Sequence, residues 1–254
     1  MIGRRFTLFA AILAAVVIWA PLGTARDDET HSWTYRGDHG PEHWGDIDPG
    51  FATCKTGRHQ SPIDIRDAKK SDLPAIQFDY QPTALQIINN GHTIQVNYAP
   101  GSFITVAGKR YELKQFHFHH PSEEEINGKD FAMVAHLVHA DAQGNLAVVA
   151  VLLEPGASNQ MIDVLWSHIP KQAGPEQKYD QVKINIADLL PADHGYYTFP
   201  GSLTTPPCSE NVTWFVLKNP QVISRDQVEA FGKIYAHNSR PIQPLNDRKV
   251  LETK

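Results

Sequence analysis

From residue 76 onward the chain is broken into short apolar runs at strand-like intervals. Ile76–Tyr80, Leu85–Ile88, Thr93–Tyr98, Phe103–Val106, Tyr111–His119, Phe131–His139, Leu146–Leu153 and Val212–Leu217 are rich in β-branched and aromatic residues. Turn-forming stretches separate them: NNG at 89–91, APGS at 99–102, VAGK at 106–109, NGK at 127–129 and QGN at 143–145. Runs of that length, bounded by Gly, Pro and Asn, predict β-strands. Helical spacing is rarer. Gln160–His168 carries it, and so does the stretch after Ser224, where Gln227 three residues on makes a capping-box pattern ahead of Val228, Phe231 and Ile234. The pattern predicts a mainly β, single-domain protein with a few short helices.

The first 25 residues do not share this pattern. A basic head with Arg4 and Arg5 leads into an uncharged apolar stretch from Phe6 to Trp19, followed by Gly23-Thr24-Ala25. A stretch of about 14 apolar residues is too short for a bilayer, so residues 1–25 read as a cleaved signal peptide and 26–254 as the domain. The mature chain then has no membrane span and is expected in the periplasm or outside the cell. Cleavage removes both arginines, so the formal charge of −5 becomes −7. No Lys/Arg cluster remains that could track a phosphate backbone, which argues against nucleic acid as a partner. The oligomeric state is left open, a homodimer included. Export also bears on the two cysteines, Cys54 and Cys208, which in an oxidising compartment are expected to pair.

The densest chemistry lies in KQFHFHHPSEEEING, residues 114–128. Residues i and i+2 of a strand share a face, so His117 and His119 point one way while Phe118 and His120 point the other. The next predicted strand offers His136 and His139 with opposite parity, and only one of them can join that face. Three neutral imidazoles on adjacent strands suit Zn²⁺, with a fourth tetrahedral position open, as in catalytic sites. Cupins also use H-x-H, with a glutamate at the spacing of Glu123, but their motif wants a glycine where this chain has Tyr111.

The longer-range motifs point elsewhere. W-T-Y at 33–35, G-P-E-H-W at 40–44, R-H-Q-S-P-I-D-I at 58–65, N-N-G-H at 89–92, Q-F-H-F-H at 115–119 and A-H-L-V-H at 135–139 follow one another in order. G-S-L-T-T-P-P-C at 201–208, V-T-W at 212–214 and R-P-I-Q-P-L at 240–245 complete the set. Together they resemble the α-class carbonic anhydrases, and the short turn after H-x-H with the cysteine pair resembles the bacterial exported members. The resemblance implies a large twisted, mostly antiparallel central sheet with zinc at the bottom of a cone-shaped cleft. It also implies carbonate dehydratase (lyase) activity, the reversible hydration of CO₂ to bicarbonate and a proton by attack of zinc-bound hydroxide. Carbonic anhydrases are themselves the reference example of zinc bringing the pKa of water to near 7.

The same resemblance assigns roles. His117, His119 and His136 match the zinc ligands, which selects His136 over His139, and Gln115 matches the glutamine that bonds the first of them. Thr204 matches the threonine that orients the hydroxide while donating its proton to a buried carboxylate, here Glu123. Thr205 matches the residue beside bicarbonate, and Val138, Val148, Leu203 and Trp214 match the apolar wall that receives CO₂. His92 matches the proton shuttle, a role that suits an imidazole titrating near neutrality. Tyr35, Asn90 and Gln95 match residues that order the intervening water. One position departs from the family: the residue two before the third ligand is ordinarily glutamate, an acceptor for that ligand's outer N–H, and here it is Val134. The departure implies weaker zinc retention. Glu124 likewise stands where a histidine is common.

Overall fold

The computed structural model describes residues 32–254. The expected signal peptide, 1–25, lies outside the described residues.

A 13-stranded sheet dominates the chain. Its centre runs Thr83–Asn89, Ile94–Asn97, Lys109–His119, Met133–Ala140, Leu146–Pro155, Glu210–Leu217 and Tyr196–Ser202, each hydrogen-bonded to the next. Most pairings are antiparallel, but Leu146–Pro155 runs parallel to Glu210–Leu217. A separate two-stranded piece pairs Asp64–Ile65 with Glu125–Ile126.

The two-residue period sorts the side chains of this sheet into two clusters. On one face Phe116, Phe118, Met133, Ala135, Leu137, Val149 and Val151 join the main core. On the other, Val134, Val148, Ala150, Leu152 and Trp214 form a second cluster. Leu146–Pro155 is buried along nearly its whole length because both of its faces are covered.

Helices are short and peripheral. Arg225–Gly232 begins at Ser224 with the expected capping box, its side chain accepting from the Gln227 N–H. Gln160–Trp166 is capped by Asn159, which accepts from Ile162 N–H. Together they cover the main core, with Trp166 and Phe231 stacked at 5.7 Å and Phe118 edge-on to Trp166 at 5.0 Å.

Five strands of the sheet lie beyond those the apolar runs predict: the three-residue Lys69–Ser71, Gln221–Ile223 and Leu251–Thr253, and two longer ones. Gln177–Ile184 is mostly exposed and polar, and it pairs with Thr83–Asn89 through a register shift. Tyr196–Ser202 contains Pro200 and Gly201, which mask a strand pattern, yet it pairs along Glu210–Leu217.

Candidate metal centre

Strands Lys109–His119 and Met133–Ala140 run antiparallel with His117 directly opposite His136. His119 lies two residues beyond His117 on the same face. The three rings converge, with one ligand nitrogen from each lying within 4.8 Å of the others. His139 has the opposite parity and turns to the main core, where its Nε2 meets the Tyr80 hydroxyl at 2.9 Å. His120 also faces away, its Nδ1 2.8 Å from the Ala132 carbonyl.

Which nitrogen of each ring faces inward follows from the partner of the other. His117 Nδ1 is held at 2.8 Å by Gln115 Oε1, and His119 Nδ1 at 2.7 Å by the Asn238 carbonyl. His136 reverses the order: its Nε2 sits 3.1 Å from both carboxylate oxygens of Glu124. The inward set is therefore Nε2, Nε2 and Nδ1. His119 Nε2 is buried without a hydrogen-bond partner, although a buried polar atom ordinarily has one. An orphaned nitrogen facing two other imidazoles is what a soft N-donor metal site looks like before its cation is counted.

The electrostatics favour neutral rings at His117 and His119 but not at His136. Burial, with His136 adding, lowers the His117 pKa to about 3. His119 is held well below the usual 6.5 by burial and by its two neighbours. Burial would lower His136 as well, but the Glu124 carboxylate and its hydrogen bond, helped by Glu123, carry it above 6.5.

Glu123 lies beside this triad but is not one of it. Its Oε1 accepts the Arg240 backbone N–H at 2.8 Å and stands 3.4 Å from His119 Nδ1. Burial pushes its pKa up to about 7, against the downward pull of His136, the Arg240 N–H and the Thr204 hydroxyl. Its Oε2 makes no full hydrogen bond to the protein, so Thr204 is a neighbour of this carboxylate rather than a tightly bound donor. Arg240 is locked in turn: its guanidinium donates to Gln60 Oε1 at 2.9 Å, Ser61 carbonyl at 2.8 Å and Cys54 carbonyl at 3.0 Å. Cys54 is joined to Cys208 in a disulfide, and the Cys208 N–H bonds the Thr205 carbonyl at 2.8 Å. The bridge thus ties the loop carrying Thr204 and Thr205 to the Arg240 support.

A cleft of about 120 Å³ opens over His117 and His119. Tyr35, Asn90, His92, Gln95, Gln115 and Thr205 line it. His92 lies stacked on Trp33, ring centroids 3.7 Å apart, and partial burial lowers its pKa. Val138, Val148, Leu203 and Trp214 belong to the second apolar cluster, and the Trp214 ring stands edge-on to His136 at 4.9 Å. They are not among the residues lining the cleft. A larger hollow of about 510 Å³ shares Tyr35 and otherwise meets Arg36, Glu42, His43 and His237. It holds none of the converging nitrogens, so size does not identify the site.

The chain and its fold are similar to known proteins. A family model for eukaryotic-type carbonic anhydrase matches residues 39–254. The chain belongs to the α-carbonic anhydrase family. A carbonic anhydrase of Nostoc sp. is 45% identical over 229 residues, covering 88% of this chain and 87% of that one. A carbonic anhydrase of Neisseria gonorrhoeae is 44% identical over 251 residues, covering 96% of each chain. Among solved structures, α-carbonic anhydrase from Thermovibrio ammonificans in complex with sulfanilamide superposes with a TM-score of 0.85. It is 45% identical, over 88% of this chain and 99% of that one.

Within this carbonic anhydrase the site has supports that the motifs do not single out. Asn238 and Arg240 come from the far end of the chain, and Gln60 from its beginning. Gln60 and Arg240 lie inside the R-H-Q-S-P-I-D-I and R-P-I-Q-P-L stretches without a role assigned there, and Asn238 is only a polar residue in a loop-like stretch. The missing acceptor expected from Val134 is a correction: Val134 is buried and apolar, yet His136 does not lack a partner, because Glu124 reaches its outer nitrogen from the turn after Lys109–His119.

Proposed function

We propose that His117, His119 and His136 hold one zinc ion and that this carbonic anhydrase hydrates CO₂ reversibly through it, with His92 exporting the proton. The observation that carries the reading is the inward set of three imidazole nitrogens, each fixed by a partner on the opposite side of its ring. Second partners of that kind set tautomer and orientation, as metal-ligating histidines require. When bound, zinc supplies the Lewis acidity that makes hydroxide available from water near neutral pH.

The protein's own residues do the rest. Glu123, held by the Arg240 N–H, is placed to accept from Thr204, which leaves the threonine oxygen free to accept from the attacking group and so to orient it. Thr205 lines the same cleft, where it would lie beside bound bicarbonate. The Val138, Val148, Leu203 and Trp214 cluster packs beside His136, and its partly exposed members, Val138 and Leu203, would be the ones to meet a linear, nonpolar CO₂. His92, at the cleft wall with Asn90, Gln95 and Tyr35, is placed to take a proton through water and pass it to solvent. The paired cysteines support an exported protein, periplasmic or secreted.

Stopped-flow CO₂ hydration before and after a strong chelator, with metal content measured in parallel, tests this reading. We expect one zinc per chain and activity that disappears and returns with it. Full activity in metal-free protein would end the proposal.

A further inference from the structure

The three ligand histidines are braced by three kinds of acceptor. Gln115 offers a neutral amide, Asn238 a backbone carbonyl and Glu124 a carboxylate. Only the last is ionic. The Glu124 side chain is fully buried, and His136 is its one hydrogen-bond partner among the described residues. Burying a carboxylate is costly unless a partner compensates. The buried cation nearby does not serve it: Arg240 sends its N–H to Glu123 and its guanidinium to Gln60, Ser61 and Cys54. A glutamate kept there for stability alone would be expected to meet that arginine. It meets a ligand ring instead.

Its placement is built into the turn. Ser122 Oγ donates to the Glu124 carbonyl at 2.9 Å and accepts the Phe131 N–H at 2.8 Å. Glu125 and Ile126 pair with Asp64 and Ile65 immediately afterwards. Glu124 is thereby pinned between two anchors, and its carboxylate sits nearly equidistant on His136 Nε2. Val134, two residues before His136 on the ligand's own strand, packs among apolar residues and can accept nothing.

We propose that Glu124 is the positioning residue for His136, holding its Nε2–H so that Nδ1 is presented to the metal and made a better donor. The proposal rests on the zinc reading above. Two adjacent carboxylates on one turn then divide the work, Glu123 toward Thr204 and Glu124 toward the third ligand. The sheet position that would otherwise carry the acceptor is released to the apolar cluster.

The test uses zinc-loaded full-length mature protein. Histidine-ring NMR of the parent should show a His136 Nε2–H protected from exchange and shifted downfield by a carboxylate. A His136 ring protonated at Nδ1, or an Nε2–H exchanging as freely as one facing water, overturns the proposal without any variant. Zinc release to a chelator should then be about 10–100-fold faster in Glu124→Ala. The near-isosteric Glu124→Gln keeps an acceptor but loses the charge, so it should fall between that variant and the parent. Its acid limb in the pH–rate profile should also move to lower pH, because a site one negative charge poorer favours the ionised form of water. Release at the parent rate from a folded Glu124→Ala, or from both variants, sinks the assignment. A parent that holds no zinc would instead sink the function proposed above, so the two failures are separable.

Discussion

The two faces of strands Lys109–His119 and Met133–Ala140 share one backbone and obey different rules. On the core face Phe116, Phe118 and Leu137 meet other apolar side chains, and what counts is filled volume. On the cleft face every buried nitrogen needs a named partner: Gln115 for His117, Asn238 for His119, Glu124 for His136. The core face takes its partners from its own sheet and the two helices. The cleft face draws them from its own strand, the turn that follows it and, for Asn238, the far end of the chain. A face built for packing can absorb substitution of similar size, whereas a face built for coordination depends on single atoms.

That contrast can be broken by exchanging the damage. His117→Ala should abolish zinc binding and CO₂ hydration while the fold survives, as judged by metal analysis and circular dichroism. Phe118→Ala, its neighbour on the other face, should cost about 3–5 kcal/mol of stability in denaturant unfolding. The folded fraction should still carry one zinc per chain. If both variants lose metal and fold together, the faces are not independent.

His92→Ala sharpens the comparison within the cleft. It removes no ligand, so zinc content should hold, while turnover in dilute buffer should drop on the order of a hundredfold. Added imidazole buffer should restore part of the rate. Equal turnover for both proteins at every buffer concentration sinks the shuttle role.

Near neutral pH the smallest effect belongs to His139, a titratable group turned to the core face. Burial holds its pKa down at about 3, far below the usual 6.5. Between those values the unfolded chain binds a proton that the folded chain does not. This contribution to stability is therefore complete above pH 6.5 and is lost as pH falls toward 3, at up to about 1.4 kcal/mol per pH unit. His139→Gln, which can still meet Tyr80, should flatten that part of the stability–pH curve in urea titrations. An unchanged slope would show that His139 is not held neutral.

What the sequence makes legible follows the same division. The two-residue period marks His117 and His119 as cofacial and the apolar run Leu146–Leu153 marks a strand, because both are local patterns. Gln177–Ile184 escapes it, since an exposed edge strand need not be apolar, and Tyr196–Ser202 escapes it because of Pro200 and Gly201. Convergence of side chains distant in the chain is another matter. Nothing near Glu124 distinguishes it from Glu125, which lies only partly buried beside it. The partner of His136 is hidden at Val134 for that reason: the acceptor lies on a turn and not on the ligand's strand. Arg240 and Asn238 acquire meaning only once the final segment has folded back over the sheet.

Asn238 joins more of the site than any ligand does. Its carbonyl takes His119 Nδ1, its side-chain amide donates to the Phe118 carbonyl at 3.0 Å and the His92 carbonyl at 3.1 Å, and its Oδ1 accepts the His120 N–H at 2.8 Å. It also follows His136 by 102 residues. A chain leaving the ribosome therefore displays all three converging histidines long before the residue that orients the second of them has been made. An early-captured ion would meet a loose and exchangeable set of imidazoles. If the three histidines hold a metal, tight loading would belong to the finished polypeptide, and a chain truncated ahead of Asn238 would keep all three yet lack the clasp that aims His119.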